Sequence, residues 1–168
     1  MNTGPLLMIA LVQGLFVLNS GLTDLKTKPP VILNETPSMS KGAYVRVDDV
    51  ARLKRGDIIA MAINGQSRDY LVRKLGYPDD TMLIKRIAGI SGDLVCRQET
   101  VVTIGNKAVV AARMDKHGYP LPAWGGCRAL LPNEVFLLGD HASSFDSRYF
   151  GPVTKDELVG IYRAVVTW

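Results

Sequence analysis

Apolar and polar positions divide this chain into an uncharged beginning and a long remainder that alternates with the period of a strand. From Gly4 to Leu22 there is no formal charge, and Leu6 to Leu18 is apolar apart from Gln13 and Gly14. A helix of about 19 residues at 1.5 Å per residue spans roughly 28 Å, close to the hydrocarbon thickness of a bilayer. Residues 1–22 therefore read as a transmembrane signal anchor. The apolar run is long and no Ala-x-Ala follows it, which argues against a cleaved leader. Residues 23–33, with Lys28-Pro29-Pro30, read as a stiff linker leaving the membrane.

Beyond the linker the signals are mainly β. Ala43 to Val47 alternates, and Asp57 to Ile63 is a continuous apolar run ending at an Asn64-Gly65 turn. Ser67 to Leu75 predicts a short helix, with Ser67 as its cap and Gly76 as its stop. Strands are predicted at Met82–Ile90, Leu94–Arg97, Val101–Ile104, Lys107–Ala112, Val135–Leu138 and Leu158–Trp168. Residues 113–132, rich in Gly and Pro, predict loop. Thr154-Lys155-Asp156-Glu157 has capping-box form and predicts one helical turn.

Composition narrows the function classes. The net charge is +4, from 20 basic and 16 acidic residues. The basic groups are scattered and sit beside acidic ones, so no nucleic-acid face is predicted. Cys96 and Cys127 are the only cysteines. A disulfide between them is the natural expectation if the domain is exported. With His117 and His141 they could ligate zinc, but the spacing matches no paired-ligand pattern, and no metal or cofactor is expected. Flanking charge opposes export: no Lys or Arg precedes the apolar span, while Lys26 and Lys28 follow it.

Three kinds of serine chemistry are open to the chain. His117 and His141 lie in loop-like sequence, but no Gly-x-Ser-x-Gly elbow accompanies them. Ser38-Met39-Ser40-Lys41 has the Ser-x-x-Lys spacing that requires a helix, whereas Gly42 and an alternating strand follow at once. The third option is a neutral lysine as base. A lysine titrates near 10.4 in water, so it must be desolvated to accept a proton near neutrality. Lys85 suits this, because alternation in Met82–Ile90 sets it on one face with Leu83 and Ile87 and puts Arg86 on the other.

Three segments together resemble the type I signal peptidases, Ser/Lys proteases that remove leader peptides at the membrane. Thr36-Pro37-Ser38-Met39 is similar to the nucleophile box. Leu83 to Asp93, containing Lys85-Arg86 and Gly89-Ile90-Ser91-Gly92-Asp93, is similar to the box that carries the base. Gly139-Asp140 followed by Asp146-Ser147-Arg148 is similar to the C-terminal box. Pro37 replaces a glycine before the serine and Lys41 a proline after it. With Asn34-x-Thr36-x-Ser38, this resembles the conjugative-transfer branch, the TraF-like peptidases that mature pilin precursors. Asn34-Glu35-Thr36 also fits a glycosylation sequon, taken here as chance.

The resemblance implies a mainly β, coiled-sheet peptidase domain over 34–168, with a small subdomain inserted at about 94–132. It implies Ser38 as nucleophile and Lys85 as base, with Ser144 holding the lysine amine. The Thr36 hydroxyl and the Ser38 N–H would stabilise the oxyanion, and Asp146 and Arg148 would pair beneath the site. Ile84 would line a shallow pocket for the small residue before the cut. The implied partners are an exported, pilin-like precursor and the lipid bilayer. The implied location is the bacterial inner membrane, single-pass, with the catalytic domain on the periplasmic side. Joining the new ends of the pilin into a ring would need only the substrate's own amine in place of water. Two other readings remain open: a LexA-like self-cleaving repressor, which would need a DNA-binding segment before residue 34, and an inactive scaffold of pilus assembly.

Overall fold

The computed structural model describes residues 28–48 and 50–168; the expected anchor over residues 1–22 lies outside them. Among the described residues no helix is long and apolar enough to cross a membrane. The described chain is mainly β, built on two antiparallel sheets. Strands β1 (Val31–Asn34), β2 (Gly42–Asp48), β3 (Ile58–Ala62), β4 (Met82–Gly89), β9 (Glu134–Leu138), β10 (Val153–Thr154) and β11 (Leu158–Thr167) form a seven-stranded sheet in the order β1-β2-β11-β3-β4-β9-β10. Strands β5 (Leu94–Gln98), β6 (Val101–Ile104), β7 (Lys107–Val110) and β8 (Gly126–Ala129) form a four-stranded sheet in the order β7-β6-β5-β8.

The larger sheet is buried on both faces at its centre, which is why β3, β4 and β9 read as runs of apolar residues. On one face Ile59, Met61, Ile87, Val135, Leu137 and Ile161 form a core. On the other, Phe136 and Leu138 of β9 pack with Val95, Val102 and Ile104 of the smaller sheet. A third cluster joins Met39 beside the predicted nucleophile to Tyr44, Ala60, Ile84 and Tyr162. Full burial of each such side chain contributes about 1.5–3 kcal/mol, so the loop bearing Ser38 is fastened by its own methionine.

Several local expectations are corrected. Residues 31–33, expected to finish the linker, already belong to β1, paired with β2 from Val31↔Val45 to Asn34↔Gly42. Asn64-Gly65 opens a helix rather than a turn: α1 spans Gly65–Arg68 and continues as a π-helical segment, Asp69–Lys74. Asn64 is its N-cap, and Ser67 is the residue that reaches back, accepting from the Asn64 N–H at 3.0 Å. Gly76 does end the segment, at φ +71°. The stretch 113–132, expected to be loop, contains β8. That strand is exposed at all four residues and pairs only with β5, so it carries no burial pattern to betray it. A short helix α2 (Ser147–Phe150) and strand β10 carried no periodic signal at that length.

Gly89, at the end of β4, is where the two sheets meet. A Cβ there would lie 3.0 Å from both Ile104 Cγ2 and Phe136 Cβ, closer than side chains pack. Gly89→Ala is expected to destabilise the fold by about 1–3 kcal/mol, the usual range for overpacking, read as a lower urea midpoint with the slope unchanged.

Candidate active site

Ser38 sits in a turn between β1 and β2, half-buried, with Thr36 exposed beside it. The turn is fixed from both ends. Asp140 N–H and His141 N–H donate to the Ser38 carbonyl at 2.7 and 3.3 Å. Asp140 is itself held by Arg86, whose Nε and Nη2 donate to the two carboxylate oxygens at 2.8 and 2.7 Å. That guanidinium holds the Asp140 carboxyl below its ordinary range. Asn34, 7% exposed, fills the concave side of the turn. The two hydrogens of its Nδ2 are shared among the carbonyls of Thr36, Met39 and Ser40 at 2.9, 3.1 and 3.0 Å, one of them bifurcated. Its Oδ1 accepts from Thr36 N at 3.3 Å and Thr36 Oγ1 at 2.8 Å.

Lys85 enters from β4. The strand lies between β3 and β9 in the register Ile59↔Lys85 and Arg86↔Leu138. Its backbone is therefore paired on both sides, and the side chain is only 2% exposed. Nζ lies 3.2 Å from Ser38 Oγ and donates to its own neighbour's carbonyl, Ile84 O, at 2.9 Å. Burial lowers the Lys85 pKa to about 8; Asp146 opposes that shift and Arg148 reinforces it. Relative to water the charged form is disfavoured by about 3 kcal/mol. A neutral amine has one lone pair and two hydrogens. With one hydrogen on Ile84 O, the lone pair is free for the Ser38 proton.

Asp146, fully buried, and Arg148 form an ion pair at 2.8 Å. Asp146 Oδ2 also accepts Gly139 N–H at 2.8 Å, and Oδ1 accepts Arg148 N–H at 3.1 Å. The guanidinium further donates to the carbonyls of Val110, Ala142, His141 and Ser144. A buried pair with every polar atom satisfied stands on its geometry rather than on net attraction. It ties together the segment 139–148 that carries the loop behind Ser38.

Other expected residues stand differently. Ser144 is buried near the site, but its Oγ makes no hydrogen bond. The expected bond to the Lys85 amine is absent; Ser144 lies against Gly139, where a Cβ would come within 2.1 Å of Ser144 Oγ and 2.7 Å of Ser38 O. Ile84 is only 4% exposed and packs with Met39 in a closed cluster. Ser38 and Lys41 span no helix, and Lys41 is exposed. His141 is paired with Ser143 at 2.8 Å, and His117 lies in a separate exposed turn. Cys96 and Cys127, direct partners on β5 and β8, form a disulfide and are not free to bind zinc. Asn34 is the residue whose importance the sequence analysis missed. Its one signal in the sequence is the Asn-x-Thr-x-Ser spacing, which points to family likeness and not to chemistry.

Comparisons with known proteins agree on one family. A family model described as signal peptidase, peptidase S26, matches residues 4–168. A conjugal transfer protein TraF of Agrobacterium tumefaciens is similar at 31% identity over 168 residues, covering 94% of each chain. A plasmid transfer protein TraF of Escherichia coli is 33% identical over 91 residues, about half of either chain (51%). The signal peptidase I of Bacillus caldolyticus is 29% identical over 130 residues, covering 74% of this chain and 69% of that protein.

The buried amine carries a stability signature. Unfolded, Lys85 keeps its ordinary pKa of about 10.4; folded, it titrates at about 8. Below pH 8 the amine is charged in both states and the native state bears the full cost. Above about 10.4 it is neutral in both and the cost disappears. Lys85→Met is thus expected to raise stability relative to wild type by about 3 kcal/mol more at pH 6.5 than at pH 10.5. Urea titrations at both pH values measure the difference; equal effects would show that the amine is not desolvated.

Proposed function

The chain belongs to the signal peptidase family, peptidase S26, and on that premise we propose that it is a membrane-anchored serine endopeptidase with a Ser38–Lys85 dyad. The observation that carries this is the approach of Lys85 Nζ to 3.2 Å from Ser38 Oγ, with the lysine sealed from water. Neutral Lys85 takes the hydroxyl proton as Ser38 Oγ attacks the scissile carbonyl. The tetrahedral intermediate collapses when the protonated amine returns that proton to the leaving nitrogen, leaving an ester on Ser38. A second nucleophile, activated by the same amine, then releases the product. Water gives hydrolysis; the amine of the same substrate gives a ring.

The oxyanion is assigned to the Ser38 N–H and the Thr36 hydroxyl, each such donor being worth about 3–4 kcal/mol in related chemistry. Thr36 Oγ1 lies 3.1 Å from Ser38 Oγ. Before substrate binds, its hydroxyl donates to Asn34 Oδ1, and it turns toward the oxyanion as charge develops. Asp146 and Arg148 support the segment and take no proton. The pocket for the small residue before the cut is assigned to the region of Ile84, which packs against Met39 beside Ser38.

TraF proteins of conjugal transfer are homologues, and this supports a pilin-like precursor as substrate. Residues 1–22 are assigned as the anchor, and 94–132, which include the smaller sheet, as an inserted subdomain. The Cys96–Cys127 disulfide supports an oxidising compartment, the periplasmic side of the inner membrane. Val31, Leu33 and Val166 share the outer face of the β1–β2–β11 edge through the pairs Val31↔Val45, Leu33↔Ala43 and Val166↔Ala43. All three are exposed, as is Trp168 beyond them, and a lipid-facing edge accounts for this.

With a precursor carrying a leader peptide and the full chain in detergent, Ser38→Ala and Lys85→Met are each expected to lower cleavage to a few per cent of wild type or less while remaining folded. Retention of more by either variant would contradict the dyad. For wild type the rate of the chemical step should rise with pH to a plateau, with its midpoint near 8, the value set by burial of Lys85. A rate flat from pH 6 to 10 would remove lysine as the base. Intact-mass analysis of the product distinguishes the two nucleophiles, since a ring is one water lighter than the cleaved linear chain.

A further inference from the structure

The hydrogen-bond arithmetic of the nucleophile turn assigns a proton to a place. Asn34 Nδ2 faces three carbonyl oxygens at 2.9–3.1 Å. Reversing the amide would set an oxygen against those three oxygens, so the nitrogen and oxygen are fixed as they stand. Asn34 Oδ1 has no hydrogen to give. The 2.8 Å contact with Thr36 Oγ1 therefore takes the single hydroxyl proton of Thr36. Thr36 Oγ1 is left, toward Ser38, as an acceptor only.

Ser38 likewise has one hydroxyl proton and two neighbours, Thr36 Oγ1 at 3.1 Å and Lys85 Nζ at 3.2 Å. While Lys85 is charged it has no lone pair, and the Ser38 proton rests on Thr36. Once Lys85 is neutral the proton turns to Nζ, which is the direction of reaction. Were the Thr36 proton not drawn to Asn34, it could point at Ser38 Oγ and occupy the lone pair that must attack.

We propose that Asn34 is a positioning residue that holds the Thr36 hydroxyl as an acceptor toward Ser38, keeping the attacking oxygen free of a competing donor. This rests on the dyad reading above and adds a third side chain to it. Asn34 touches neither substrate nor the reacting atoms; it acts through Thr36. Because the same carboxamide gathers the carbonyls of Thr36, Met39 and Ser40, one side chain sets both the shape of the turn and the sense of its hydrogen bonds.

The test uses the full chain in detergent and an internally quenched leader peptide with an Ala-x-Ala cleavage site. Asn34→Ala is expected to lower kcat at least tenfold and to leave KM within threefold. On a Thr36→Val background, where no hydroxyl remains to be held and only the contacts to the three carbonyls are lost, the same substitution should lower kcat by a factor at least threefold smaller than on wild type. An Asn34→Ala kcat within threefold of wild type, or an equal loss on both backgrounds, overturns the inference while the dyad stands. Should Asn34→Ala and Asn34→Ser both fail to fold while Thr36→Val folds, Asn34 is a structural residue and the inference is likewise overturned. A wild type whose cleavage survives Ser38→Ala, or that does not cleave, removes the dyad and this inference together.

Discussion

One primary amine held out of water governs the rest of the molecule. A lysine buried without a carboxylate in contact is unfavourable, and the structure tolerates it only because the surrounding sheet is stable enough to hold it there. Strand β4 is paired on both sides and packed on both faces, which leaves Lys85 only 2% exposed, with its amine reaching the half-buried Ser38. The single acceptor that its strand offers, the carbonyl of Ile84, orients the amine without charging it. Asp146 would undo this if it were closer or unpaired, since its charge favours the protonated amine. Arg148, bonded to both carboxylate oxygens, keeps that charge engaged elsewhere.

Much of this was legible in the residues. Strands β3, β4 and β9 announce themselves by apolar runs, and Lys85 stands out as a charge inside one of them. The turn bearing Ser38 was legible as a loop entering a strand, because Gly42 and Tyr44 to Val47 leave no room for a helical turn. Proximity between residues 38 and 85 was not legible from periodicity; it came from likeness to a family. The sheet order that creates it, with β11 inserted between β2 and β3, depends on pairing across the whole chain.

What remained hidden was short, polar or exposed. Strand β8 has no buried side chain to mark it and is defined by hydrogen bonds to β5 and by the bond from Cys127 to Cys96. Helix α2 is four residues long, below the length at which helical periodicity can be seen. Asn34 shows in the sequence only through its spacing to Thr36 and Ser38, and its role emerges only from the convergence of three carbonyls on its amide. Ser144 shows the opposite error: similarity assigned it a partner, and the segment beneath the turn leaves its hydroxyl without one.

The missing side chain at position 139 has a consequence for anyone wishing to reshape the surroundings of Ser38. Gly139 is pressed between the hydroxymethyl of one serine and the carbonyl of another, so even a methyl group there would act as a wedge. Directed evolution for altered selectivity should find this position closed to variation, whereas Glu35 and Pro37, exposed in the same turn as Ser38, are free to change.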